Sequence, residues 1–346
     1  MLNSSNLYQR MCTLQTQQPK LRARRLAQSL NVSEAQLIHC RHGHDSWQLT
    51  SNFQALINEI NQLGEVMALT RNEQAVHERH GRYHDLHQDG EIGVILGPEI
   101  DLRIFFNHWR SAYWVDDEGR QSIQIFDATG QAVHKIYQTD KTNSQAWDNL
   151  ISRYKTNELQ DLAIHPVTSN AVRPINEAFN RETFCQDWAN LQEVHDYHLL
   201  LQRHQLSRTQ ALAQIDKQWA TKLHIDALAM LLTQVSQNRC PIMIFVGNRG
   251  CVQIYTGPIA HIKPTANWLN VLDPGFNLHL NLAEIDQLWM LKRPTVDGNI
   301  HAIEAFNADG ESIVTFFGKR KPGQPQLKAW QQLCEQLCLT HPADTN

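Results

Sequence analysis

VMALTRNEQAVHERHGRYHDLHQDGEIGVILGPEIDLRIFFN, residues 66–107, and IMIFVGNRGCVQIYTGPIAHIKPTANWLNVLDPGFNLHLNLA, residues 242–283, are one pattern written twice. At a constant offset of 176 residues Met67 meets Met243, Asn72 meets Asn248, Val76 meets Val252 and Gly81 meets Gly257. Leu96, Pro98 and Leu102 meet Leu272, Pro274 and Leu278 at the same offset. Further on, after about four extra residues in the second copy, FDATGQAV (126–133) matches FNADGESI (306–313).

These last two segments read as strand, tight turn at a glycine, strand, which is a hairpin signal. DLRIFFNHW, NLHLNL and CVQIYTGP alternate or run apolar over strand length between Gly and Pro punctuation. Hairpins rather than strand–helix–strand crossovers connect them, so the sheets are expected to be antiparallel. Helices are expected ahead of each sheet: LRARRLAQSL and SEAQLIH, then ETFCQDWANLQEVHDYHLLLQRH and the stretch from Trp219 to Gln237. A closing helix, PQLKAWQQLCEQLCL, sets Leu327, Trp330, Leu333, Cys334 and Leu337 on one stripe. The expected fold is α+β, two structural repeats that each carry a large antiparallel sheet flanked by helices. The polar stretch 141–181, broken by Asn and Pro, marks the boundary, with an N-terminal repeat over 1–165 and a C-terminal repeat over 166–346.

A length of 346 residues suits two domains rather than one, and 42% hydrophobic with 19% charged residues excludes a disordered chain. The longest uncharged apolar runs, such as Pro241 to Val246, are far short of the roughly 20 residues of a membrane helix, so no membrane insertion is expected. MLNSSNLYQRMCT lacks a basic region followed by an apolar stretch, so no secretory signal is expected and the expected location is the cytoplasm. Seven scattered cysteines without a CxxC pair point to reduced thiols, neither a disulfide framework nor a zinc site. A formal net charge of −4 argues against a nucleic-acid partner. Eighteen histidines point instead toward iron or another transition metal.

Arg22 to Leu37 has the outline of a helix-turn-helix, with a turn at Asn31 and a Ser33-x-x-Gln36 capping box. Its second helix begins with Glu34 and offers no Lys or Arg before Arg41, which argues against reading base edges or phosphates. His77, His80, His84 and His87 would share a helical face, but the partner segment in the second repeat contains Gly257-Pro258, so this stretch reads as strand and turn with surface histidines.

A third cluster reads as helical. Trp188, Leu191, His195 and His198 fall at spacings of 3, 4 and 3, and Arg203 and Arg208 follow. A lone histidine on an apolar face is usually a hydrogen-bonded core residue; here it has cations within reach that suit carboxylates at the edge of a flat apolar ligand.

EVHDYHLLLQRHQLSRTQAL resembles the helix pattern DVHQFFxLLKRHxLTRxQA of the bacterial haemin-degrading and haem-trafficking family, the HemS, ChuS, HmuS and PhuS type. Four further blocks agree in family order: PKLRARRLAQSLNVSEAQL, EIDLRIFFNHW, GNRGCVQIYTGP with WLNVLDPGFNLHL, and KRPTVDG with FFGKRKPGQP. The resemblance implies haem b as ligand or substrate, with His195 as the axial ligand of its iron. His198 stands where the family usually has an aromatic residue, and it remains an alternative ligand. By the same resemblance Arg103 of DLRIF is a distal hydrogen-bond donor over the opposite haem face, since a guanidinium is a poor metal ligand while protonated. Arg208 and Arg320 match basic family positions and are expected to pair with the haem propionates. Arg293 belongs with them, although KRPT stands here where the family more often reads RKPT.

Two activities remain open on these residues: oxidative haem degradation that releases iron for bacterial iron acquisition, and carriage of intact haem. No dinucleotide fingerprint follows a strand, so degradation would draw on an external electron donor. The partners implied are haem, the cytoplasmic side of a haem ABC importer, and a downstream haem oxygenase or reductase.

Overall fold

The structure, a computed structural model, describes all residues except 1–3, 157, 166–173, 194–195, 322 and 344–346. The first half runs through α1 (Ser4–Gln17), α2 (Ala23–Leu30), α3 (Glu34–His39), β1 (Ser46–Leu49) and α4 (Phe53–Glu59). It continues through β2 (Gly64–Arg71), β3 (Ala75–Arg82), β4 (Leu86–Asp89), β5 (Ile92–Leu96), β6 (Asp101–Phe105), β7 (Trp109–Asp117), β8 (Arg120–Asp127), β9 (Ala132–Thr142) and α5 (Ser144–Tyr154). The second half opens on α6 (Arg181–Ala189), α7 (Asp196–His204), α8 (Arg208–Gln214), β10 (Ala220–Leu223) and α9 (Ala227–Gln237). Its strands are β11 (Ile242–Gly247), β12 (Cys251–Gly257), β13 (Ile262–Thr265), β14 (Trp268–Asp273), β15 (Phe276–Asn281), β16 (Gln287–Arg293), β17 (Ile300–Phe306) and β18 (Ser312–Gly318), and α10 (Lys328–Thr340) follows.

Two nine-stranded antiparallel sheets result, ordered β1-β7-β8-β9-β2-β3-β15-β14-β13 and β10-β16-β17-β18-β11-β12-β6-β5-β4. A strand of the first half and the strand numbered nine higher hold the same place, so the duplication read from the sequence is a duplication of the fold. Each sheet nevertheless takes three strands from the other half of the chain, a refinement of the expectation that each repeat builds its sheet alone. Contacts nonetheless divide the chain largely by sequence half into two compact units, with one short segment exchanged each way: Met1–Arg71 with Glu78–Thr168 and Asn248–Gln253, and Asn72–His77 with Ser169–Gly247 and Ile254–Asn346.

Both repeats close their hairpins with the same chemistry. Asp127 Oδ1 accepts from the backbone of Thr129 and Gln131, and Asn307 Oδ1 from that of Asp309 and Glu311. Gly130 and Gly310 supply the left-handed turn residue at φ 76° and 74°.

The core of the second unit gathers one face of α9 (Ala227, Leu228, Leu231, Leu232 and Val235) and the expected stripe of α10. Trp330 of that stripe is fully buried and donates its indole N–H to His301 O at 2.9 Å. A single buried Leu→Ala change in such a core costs ~2–5 kcal/mol.

The helix-turn-helix outline is present: Asn31 sits at φ 56° and Ser33 and Gln36 form the capping box. Its second helix is packed into the fold along one face. Ala35 and Ile38 pack on Tyr113, Val115 and Phe126, Leu37 packs with Leu7 and Leu26, and Glu34 is bound to Lys135 at 3.1 Å.

Three local expectations are corrected. His77 is not a surface residue: it lies in β3, fully buried, with its ring 5.1 Å from that of Phe276. The stretch from Trp219 begins as strand β10, paired to β16, and becomes helix only at Ala227. The polar stretch after Lys141 holds helix α5, whose Trp147, Leu150, Ile151 and Tyr154 enter the core of the first unit.

Candidate functional site

The long helix expected over residues 182–204 is two helices. Asn190 caps the end of α6, and the carboxylate of Asp196, the first residue of α7, accepts from the backbone N–H groups of Gln192 at 3.4 Å and Glu193 at 3.0 Å. Those bonds satisfy donors that a continuous helix would have used itself. Trp188, Leu191 and His198 therefore do not share one helical face. His204 Nε2 lies 2.8 Å from Asp187 Oδ2 and Arg203 donates to the same oxygen at 3.2 Å, tying α7 back to α6. The hydrogen bond from His204, with that from Arg203, holds the Asp187 carboxyl below the usual carboxylate range. After His204, Gln205 takes the left-handed turn at φ 53° and Ser207 opens α8 with a capping box to Gln210. This turn fixes Arg208 as the first residue of α8.

His195 lies outside the described residues, as does Val194. His198 is exposed on α7 and accepts from Gln202 Nε2 at 2.9 Å. Its neighbour Tyr197 points the other way, 2% exposed, with its ring packed against that of Trp188 at 5.3 Å.

Arg208 and Arg293 come together on one carboxylate. Glu304, in the middle of β17, has a fully buried side chain. Arg293 Nη2, from the end of β16, hydrogen-bonds its Oε1, and Arg208 Nη1 lies 3.5 Å from both its oxygens. The Arg293 guanidinium also covers the Tyr197 ring at 4.2 Å and lies 5.6 Å from that of Phe317. Glu304 raises the Arg208 pKa, and burial together with Glu304 pushes the Tyr197 hydroxyl up to about 12. Neither arginine is the free surface charge that is the usual fate of the residue.

Arg320 is not part of this pairing: its Nη2 lies 3.5 Å from Asp297 Oδ2. Three buried donors, Tyr197 OH, Arg293 Nε and Arg320 Nε, have no hydrogen-bond acceptor among the described residues. Donors left so are costly in a folded chain and fit an anionic ligand edge.

Arg103 belongs to the first unit. In β6 it points opposite to the fully buried Leu102 and Ile104, and it binds Asp101 through Nη1. Burial raises the Asp101 carboxyl although Arg103 opposes the shift. His279, the counterpart of Arg103 in β15, lies instead 2.6 Å from Asn270 Oδ1 through its Nδ1.

The arginine cluster is not repeated in the first half. Aligning the capping boxes sets Glu34 opposite Arg208 and Leu21 opposite His195. Aligning the strand registers sets Gln124 opposite Glu304 and Asp117 opposite Arg293. Glu304 and Tyr197 escape the reading of the sequence, yet Glu304 carries a signal: it is the single carboxylate in the apolar run IHAIEAF.

Comparison with known proteins defines the class. A family model described as the haemin-degrading HemS.ChuX domain matches residues 31–154 and again residues 205–337. The chain belongs to this family. The hemin transport protein HmuS of Yersinia pestis is 38% identical over 340 residues, covering 96% of this chain and 98% of that protein. Among solved structures, apo-PhuS, a heme-binding protein from Pseudomonas aeruginosa, is 39% identical with a TM-score of 0.94 over 96% of this chain and 99% of that one. ChuS, an Escherichia coli heme oxygenase, is 36% identical with a TM-score of 0.86 over 96% of this chain and 99% of that one.

Proposed function

We propose that this chain is a cytoplasmic haem-binding protein of bacterial iron acquisition that degrades haem oxidatively, with electrons from an external donor, and releases its iron. The observation that carries this reading is the cationic cluster of the second unit. Arg208 and Arg293 share one buried carboxylate, beside acceptor-free donors on Arg293 and on Tyr197, and Tyr197 is two positions from His195. His195 serves as the axial ligand, with His198 three residues on as the alternative, and Arg208, Arg293 and Arg320 form the rim for the propionates. Arg103 donates on the opposite haem face, where its fixed positive charge favours charge developing on a bound partner. Haem itself supplies the redox chemistry. The first repeat, residues 1–165, lends the distal arginine, and the second, residues 166–346, holds the ligand; with Leu21 and Glu34 at the matching places, one haem is bound per chain.

Support for degradation comes from ChuS, described as a heme oxygenase. A second reading, a carrier that passes intact haem from an ABC importer to an oxygenase, is favoured by HmuS and HemS, both described as hemin transport proteins. Incubating the purified haem complex with a reductant and catalase separates the two. Loss of the Soret band with a cleaved tetrapyrrole found by mass supports degradation; a Soret band that persists until an oxygenase is added supports the carrier.

A further inference from the structure

We propose that Glu304 is a built-in competitor for the ligand's carboxylate: Arg208 rests on Glu304 until a ligand carboxylate takes it, while Arg293 stays bound to Glu304 throughout. This deepens the proposed haem site and rests on that reading. The two arginines hold Glu304 unequally. Arg293 is 7% exposed, bound to Oε1 and clamped over the Tyr197 ring, so releasing it would bare a buried charge. Arg208 is 43% exposed and stands 3.5 Å from each oxygen, at the outer limit of a hydrogen bond. One guanidinium is therefore fixed and the other is free to leave.

Charge leads to the same division of roles. Two guanidinium groups around one buried carboxylate leave an excess of one positive charge, and one further carboxylate neutralises it. A neutral residue at 304 would leave an excess of two. Glu304 thus sets the cluster to accept a single carboxylate and weakens that acceptance by repelling it. The arrangement is not a requirement of the fold, because the first repeat builds the same strands and capped helix with Gln124, Asp117 and Glu34 at the three places.

The test compares haemin with haemin dimethyl ester, which has the same ring and iron and no carboxylates, on the full chain. Glu304→Gln is expected to tighten haemin about tenfold and to leave the ester unchanged. Arg208→Met is expected to weaken haemin about tenfold, again without effect on the ester, and its partly exposed site makes it the safer fold should Glu304→Gln misfold. Equal effects of either variant on both ligands, or a Glu304→Gln chain that binds haemin no more tightly than the parent, would overturn the inference. A parent chain that binds neither ligand would instead sink the haem reading itself.

Discussion

Asn72 and Asn248, 176 positions apart, make the same hydrogen bonds. Asn72 Nδ2 donates to Gly247 O at 3.1 Å and Ile313 O at 2.8 Å, and Asn248 Nδ2 donates to Arg71 O and Val133 O, each at 2.8 Å. Each side-chain oxygen caps its own turn, Asn72 accepting from Gln74 and Ala75, Asn248 from Gly250 and Cys251. Each asparagine also opens the short segment that its half of the sequence contributes to the unit built mainly by the other.

Replacing Asn72 or Asn248 by alanine leaves carbonyls and turn N–H groups without partners, at about 1–3 kcal/mol for each group left dry. We expect either variant to lower the denaturation midpoint by an amount equivalent to about 2 kcal/mol or more. A midpoint unchanged in both would show that the paired bonds contribute nothing.

The first unit should be acid-sensitive through His134. Its ring is buried with Thr70 Oγ1 2.9 Å from Nδ1 and Tyr83 OH 2.5 Å from Nε2, and burial depresses its pKa to about 3. A free histidine titrates near 6.5, so below roughly that pH the unfolded chain binds a proton the folded one refuses. The stabilisation is complete above about pH 6.5 and is lost as pH falls toward about 3. Urea unfolding at stepped pH should show a steeper decline in the parent than in His134→Gln, whatever the variant loses at neutral pH; parallel declines would exclude His134 as the cause.

Arg103→Ala should keep haem bound while changing the spin state in the visible spectrum and slowing reductant-driven loss of the Soret band. Arg103 is about one-third exposed, so its removal should cost little packing, and the stability it does cost should come from leaving the Asp101 carboxylate without its partner. Unaltered spectra and turnover would make it a surface residue.

Much of the fold was legible because its signals are local. The constant offset, the Gly130 and Gly310 turns and the Ser33 capping box each depend on neighbours within a few residues, and each takes the form read from the sequence. Which sheet a hairpin joins is a tertiary choice, and the exchange of β4–β6 and β13–β15 has no such local mark. The break after Ala189 is hidden for a related reason: no Gly or Pro interrupts the apolar spacing, and the Asp196 carboxylate ends the run by taking backbone donors. Arg293 shows the limit at the site, since its basic character was evident but its partner Glu304 lies eleven residues away across a strand pair.

If His195 holds the haem iron, its removal must show in the Soret band. Haemin titrated into the parent, His195→Ala and His198→Ala chains separates the two candidate ligands. We expect saturation near one equivalent in the parent, a weakened and shifted band in His195→Ala, and a near-parental band in His198→Ala. Full binding with an unchanged spectrum in His195→Ala, together with its loss in His198→Ala, would contradict this and move the iron ligand to His198.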